Sequence, residues 1–280
     1  MDDKPKPKTL YKFRSWVNDW NDPDNPEKNL HRTLLTERKL WVPKATDLND
    51  PFDCCIPFRY DRLPEEKFKG RLIGLLPPAM PMAQRAELAE ARVRELEFKN
   101  QAKLRKFLEE SALNYREKHG ILSFSTVKDV PLLWSHYANA YRGFCVGLDF
   151  SLFTGVLHEY FTSTGKPYQE AWVTYVKTFP EIVPSEDLDD EEDYEKFLQL
   201  FTAKSKHWDH EEEYRYVFMD AGGFSLNLTP QCVSEVILGS EMPEAHKEEV
   251  TKVAQEQFPS AQLLQAQRKF DSFELEFVPV

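Results

Sequence analysis

Residues 208–215 read W-x-x-E-x-E-x-R and run directly into Tyr-Arg-Tyr-Val-Phe at residues 214–218. The aromatic and β-branched run predicts a strand. Glu211, Glu213 and Arg215 stand at i, i+2 and i+4, so on one strand they point to the same face. Two acids about 7 Å apart with a guanidinium beside them are costly to bury. A fold that keeps such a row either leaves it half-exposed as a weak ion pair or puts it to use. Put to use, the row suits acid–base work or the stabilisation of a cation formed during a reaction.

The rest of the chain reads as short strands with helices between them, which predicts an α+β protein with mixed or antiparallel sheets. A polar, Pro/Lys-rich tail occupies residues 1–8, and a single domain is expected over 9–280 with a helical insertion at about 81–119. Residues 9–16 read as a first strand. Leu10, Lys12 and Arg14 share one face of it; Tyr11, Phe13 and Ser15 share the other. A short helix near 30–38 and a strand at 40–43 follow. Residues 46–53, Thr-Asp-Leu-Asn-Asp-Pro-Phe-Asp, predict an ordered turn, with Asp50 and Asp53 accepting backbone amides and Phe52 anchoring the loop in the core. Residues 121–126 form a strand with Ser123 and Ser125 on one side. Pro131 then opens a helix carrying Trp134, His136 and Tyr137, and an apolar strand covers 144–150. Further on, a strand is expected at 171–177, a helix at 194–206, a hairpin turn at Gly222-Gly223, a buried strand at 234–239, a helix at 243–257 and late strands at 263–264 and 273–278.

A formal charge of −11 argues against non-specific binding to phosphate backbones or anionic membranes. No stretch approaches the ~20 apolar residues of a membrane span. The N-terminus lacks the apolar core of a signal peptide. Cys54, Cys55, Cys145 and Cys232 form no C-x-x-C pair, so free thiols in a reducing cytoplasm are expected. No Walker A, G-x-G-x-x-G or G-x-S-x-G pattern is present. His207, His210 and Glu211 fall short of a complete zinc set. A magnesium site drawn from Asp50, Asp53, Glu211 and Glu213 has no spacing in its favour, so no metal ligand is assigned.

What remains is a constellation in chain order: Arg14 on the first strand, Ser123 and Ser125 on a middle strand, and Glu211 with Glu213 on a late one. This order resembles the arginine–serine–glutamate pattern of ADP-ribosyltransferases. The resemblance implies NAD as substrate, held by Arg14, Tyr11, Ser123, Ser125, Tyr137 and Arg215. Glu213 would be the catalytic carboxylate and Glu211 the acceptor-side one. A second resemblance is broader. Leu10-Tyr-Lys-Phe-Arg-Ser15, Asn49-Asp-Pro-Phe-Asp53, Leu122-Ser-Phe-Ser125, Trp134-Ser-His-Tyr-Ala138, Gly143-Phe-Cys-Val-Gly147, residues 208–215 and Val236-Ile-Leu-Gly239 look like the bacterial domain-of-unknown-function family 2971. That resemblance implies a role in abortive infection, that is, defence against phage, together with a partner protein encoded nearby. Three functions stay open on these grounds. The first is an NAD-using transferase or glycohydrolase acting on nucleic acid or protein. The second is a non-catalytic, antitoxin-like or sensor module. The third is a metal-dependent nuclease.

Overall fold

The computed structural model describes residues 4–16, 27–96, 101–185 and 191–280. The chain folds into two compact units. The first comprises Met1–Pro43, Gly120–Val173 and His207–Val280; the second comprises Lys44–His119 and Thr174–Lys206.

The elements in chain order are β1 (Thr9–Arg14), α1 (Glu27–Thr36), β2 (Lys39–Val42), α2 (Glu65–Leu75), α3 (Met82–Leu96), α4 (Gln101–Lys118), β3 (Gly120–Ser125), α5 (Pro131–Tyr137), β4 (Phe144–Asp149) and α6 (Phe150–Thr164). They continue with β5 (Tyr168–Trp172), β6 (Thr174–Val176), α7 (Glu191–Thr202), β7 (Ala203–Ser205), β8 (Glu213–Phe218), β9 (Phe224–Asn227), β10 (Val233–Leu238), α8 (Glu244–Gln257), β11 (Gln262–Arg268) and β12 (Leu275–Pro279). The α+β class expected from the strand-and-helix pattern is what the fold shows.

The first unit is built on an eight-stranded sheet in the order β12-β11-β10-β4-β1-β3-β8-β5. Neighbours run antiparallel except β10 and β11, which are parallel. β1 lies inside the sheet between β4 and β3, so both of its edges are paired, and both of its faces carry buried clusters. One face carries Leu10, Phe124, Val146 and Tyr216 and packs on Leu34 and Leu35 of α1, Phe153 and Leu157 of α6, and Val250 and Ala254 of α8. The other carries Tyr11, Phe13, Cys145 and Ile237 and packs on Leu133 and Trp134 of α5. Pro131 opens α5 at its first turn, where a missing amide costs nothing. Trp134 is fully buried against the edge of Phe13, with ring centroids 5.1 Å apart.

Three expectations need correction. Gly222-Gly223 does not close a hairpin of β8 with the next strand. Both edges of β8 are taken by β3 and β5, and β9 pairs with β2 in a separate two-stranded sheet. Phe52 does not anchor its loop: it is 65% exposed, while Asp50 accepts the Phe52 amide as expected. The strand expected at 171–177 is two strands, β5 and β6, belonging to different sheets and different units.

In the second unit, α2, α3, α4 and α7 accompany a short parallel pair, β6 with β7. Its interior is aromatic. Tyr60, Phe68 and Phe107 meet edge-on or tilted, as do Tyr115, Phe197 and Phe201. The hydroxyls of Tyr60 and Tyr115 are bonded at 2.8 Å, which satisfies two polar atoms inside an apolar cluster.

Gly143 and Gly239 allow three backbone segments of the first unit to touch. Gly239 N–H donates to Gly143 O at 2.9 Å. A Cβ on Gly143 would stand 2.1 Å from Arg14 O, and one on Gly239 would stand 2.0 Å from Tyr141 O. Backbone cannot yield at that distance as a side chain can. Gly155, in α6, has open space around it. Gly143→Ala is therefore expected to cost about 2–3 kcal/mol. Gly155→Ala is expected to gain about 0.5–1 kcal/mol through helix propensity and chain entropy. Urea denaturation of both variants checks this; equal effects would mean that the close approach at Gly143 is absent.

Candidate functional site

The W-x-x-E-x-E-x-R stretch is not one strand. Residues Lys206–Glu211 form a 3-10 turn, Glu212 has φ +42°, and β8 starts only at Glu213. The i, i+2 rule therefore joins Glu213 to Arg215 but not Glu211 to Glu213. The left-handed residue between them breaks the alternation.

Glu213 and Arg215 are both buried, at 2% and 0% exposure. Arg215 donates from Nε at 2.8 Å to Glu213 Oε1, and its Nη2 lies 2.8 Å from the same oxygen. A guanidinium removed from water needs such a partner. Register fixes what stands beside the pair: Ser125 faces Glu213 and Ser123 faces Arg215 across β3 and β8, and Tyr11 faces Ser125 across β1 and β3. Tyr11, Ser125 and Glu213 thus form one row over three neighbouring strands. The Ser125 hydroxyl donates to Val127 O at 2.9 Å and accepts from Val127 N at 3.1 Å, a local turn that ends β3. Burial pushes the Tyr11 phenol up, and the nearby Glu235 carboxylate adds to this.

Glu211, at the end of the 3-10 turn, is buried and accepts a hydrogen bond from the Tyr137 hydroxyl at 2.7 Å. Tyr137 thereby ties α5 to the turn. His136 and Trp208 meet next to it, with ring centroids 5.9 Å apart. Among the described residues, no group of three or more His, Cys, Asp or Glu side chains is placed to hold a metal ion.

Arg14 is on the other side. It lies opposite Phe144 in β4, and Phe144 belongs to the Leu10 core; Phe13, opposite Cys145, belongs to the Trp134 core. Alternation along β1 therefore sends Arg14 to one face and the Tyr11–Ser125–Glu213 row to the other. Burial lowers the Arg14 guanidinium to about 10. Its Nη1 donates to Phe13 O at 3.3 Å. Of the residues named from the sequence, the structure brings together Tyr11, Ser125 and Glu213, sets Ser123 and Arg215 one step along, and links Tyr137 to Glu211. It leaves Arg14 apart.

Two residues to which the sequence gives no functional role, Lys12 and His31, stand near Arg14. Lys12 shares its face and donates from Nζ to Ser123 O at 2.5 Å. This bond lies where the β1–β3 ladder, which holds at Tyr11 and Ser125, does not continue. His31 of α1 is held down to about 3 by burial first and then by the charges of Arg14 and Lys12. The available signal was a pair of cations on the strand face that Leu10 assigns to the core.

Residues 133–216 match the model of a family described as a protein of unknown function (DUF2971). The matched stretch holds Tyr137, Glu211, Glu213 and Arg215; Tyr11, Arg14, Ser123 and Ser125 lie before it. No curated protein and no solved structure matches the chain. Among the described residues, no helix is long and apolar enough to cross a membrane.

Two outcomes follow. Arg215→Met leaves a buried carboxylate without its main partner and should cost about 3–5 kcal/mol. The double variant with Glu213→Gln should recover about 1–3 kcal/mol of that in a double-mutant cycle. Strict additivity in urea denaturation would show that the pair is not coupled. For His31, an unfolded imidazole binds a proton near ~6.5, whereas the folded one waits until about 3. Stability is therefore lost as pH falls through that window. His31→Gln should flatten the acid limb of a stability–pH curve, and an unchanged limb would contradict this.

Proposed function

We propose that the chain is a non-catalytic interaction module of the sensor or antitoxin-like kind, in which the Glu213 row specifies the core instead of turning over a substrate. The observation that carries this reading is the division of charged groups between the two faces of β1. Arg14 stands on the Leu10 side and Glu213 on the Tyr11 side. Groups that grip and cleave one dinucleotide must converge on it within a single cleft. The reading is also supported by how the polar groups are engaged: Glu213 by Arg215, Glu211 by Tyr137, and Ser125 by its own turn. A buried polar set of this kind fixes register and face. The charge of −11 suits a basic partner. The setting in bacterial defence rests on the family resemblance alone.

A second reading keeps one observation in its favour. The in-register row Tyr11–Ser125–Glu213 is compatible with an NAD-dependent ADP-ribosyltransferase or glycohydrolase. In it, Glu213 would stabilise the ribosyl cation as nicotinamide leaves, and Glu211 would face a nucleic-acid or protein acceptor.

Purified protein incubated with NAD, alone and with DNA, RNA or cell lysate, separates the two. The module reading predicts no nicotinamide release above the buffer rate, with wild type and Glu213→Gln alike. Release that depends on Glu213 would replace the first reading with the second.

A further inference from the structure

Lys12 and His31 have no part in the module reading, and Arg14 enters it only through the face of β1 on which it stands. Lys12 and Arg14 are alternate residues on one face of β1, about 7 Å apart along the strand. Both are half-buried. Among the described residues neither is ion-paired to a carboxylate; their hydrogen bonds go to the backbone carbonyls of Ser123 and Phe13. His31 of α1 is close enough for the charges of Arg14 and Lys12 to act on it, and its Nδ1 is buried with no hydrogen-bond partner among the described residues. Loss of water and the Arg14 charge push the Lys12 ammonium well below its usual range. From across the sheet, Glu213 and Glu211 favour its charged form and Arg215 opposes it. A sheet does not gather like charges in its interior without compensation. The β1–β3 ladder stops after Tyr11 and Ser125, so β1 is not paired to β3 beside Lys12 and Arg14.

We infer that Lys12, Arg14 and His31 form a binding site for a phosphate group, either free phosphate or the terminal phosphate of a small metabolite. The donors suit it. An ammonium supplies a point charge, a guanidinium a planar fork, and an imidazole one further N–H at Nδ1 in the matching tautomer. A tetrahedral oxyanion with charge-assisted bonds of about 2.8 Å on opposite sides spans roughly the strand's 7 Å side-chain repeat. The site goes beyond the module reading and does not depend on it, because phosphate can be held on this face whether or not NAD is turned over.

The test is thermal denaturation of the full chain in sodium phosphate, in AMP and in sodium chloride of matched ionic strength. Wild type is expected to gain about 3–5 °C once phosphate is about tenfold above its dissociation constant. Lys12→Met and Arg14→Gln should lose that gain while melting in chloride at or above the wild-type midpoint, since each removes an uncompensated charge. His31→Ala should weaken binding by about tenfold and keeps the test open if a strand variant does not fold. A gain in phosphate alone assigns free phosphate; a gain in AMP at lower concentration assigns a phosphorylated metabolite. Equal gains for wild type and all three variants, the general effect of an excluded salt, would overturn the site. So would variants that melt lower in chloride while wild type shows no gain. Neither result bears on nicotinamide release, so this site and the module reading fail separately.

Discussion

The alternation of side chains along β1 is the constraint on which the first unit turns. β1 has a buried cluster on each face, and each of its residues must suit the layer it meets. Tyr11 and Phe13 meet α5 and its buried Trp134; Leu10 meets α1, α6 and α8. Lys12 and Arg14 share the Leu10 face because period two allows nothing else. A slip of one residue would exchange the two sets and place both cations against Trp134. The glycine approaches at Gly143 and Gly239, which join the ends of β1, β4 and β10, hold that register from one end. The Tyr11–Ser125–Glu213 row holds it from the other.

The same constraint explains why a pattern in chain order need not be a site. Arg14, Ser125 and Glu213 lie on adjacent strands β1, β3 and β8, as the arginine–serine–glutamate order leads one to expect. Adjacency in a sheet brings side chains together only when parity agrees. Ser125 and Glu213 agree with Tyr11; Arg14 agrees with Lys12. The carboxylate two residues upstream is separated too, because Glu212 takes a positive φ and puts Glu211 on a turn. That leaves Glu213 with Arg215 as a buried pair, which favours a defined core over open chemistry.

Much of the first unit was legible in the sequence because its strands are locally distinct. The runs at β3, β4 and β10 are short, apolar and bounded by polar or glycine residues, and the pattern at 243–257 predicts a helix that is present as α8; in the second unit the leucine spacing at 81–119 predicts helices that are present as α3 and α4. The helix α6 is not legible in the sequence because Phe150–Thr164 is rich in Phe and Thr and continues straight from β4. Its signals were at the ends: Asp149 accepts the Leu152 amide as N-cap, and Gly165 closes the helix at φ +67°. The pairing of β9 with β2 could not be read locally, since it depends on β8 having no free edge. Lys12, though placed on the Arg14 face, and His31 carry no role in the sequence for a related reason: a lysine on a strand and a histidine on a helix become informative only when the fold sets them beside Arg14.

The most direct test of the claim that Arg14 and Glu213 belong to different faces is their coupling energy. A double-mutant cycle with Arg14→Gln and Glu213→Gln, read by urea denaturation at low ionic strength, isolates it. Groups that share no partners should be additive within about 0.3–0.5 kcal/mol. A coupling above about 1 kcal/mol would place both on one site and contradict the account.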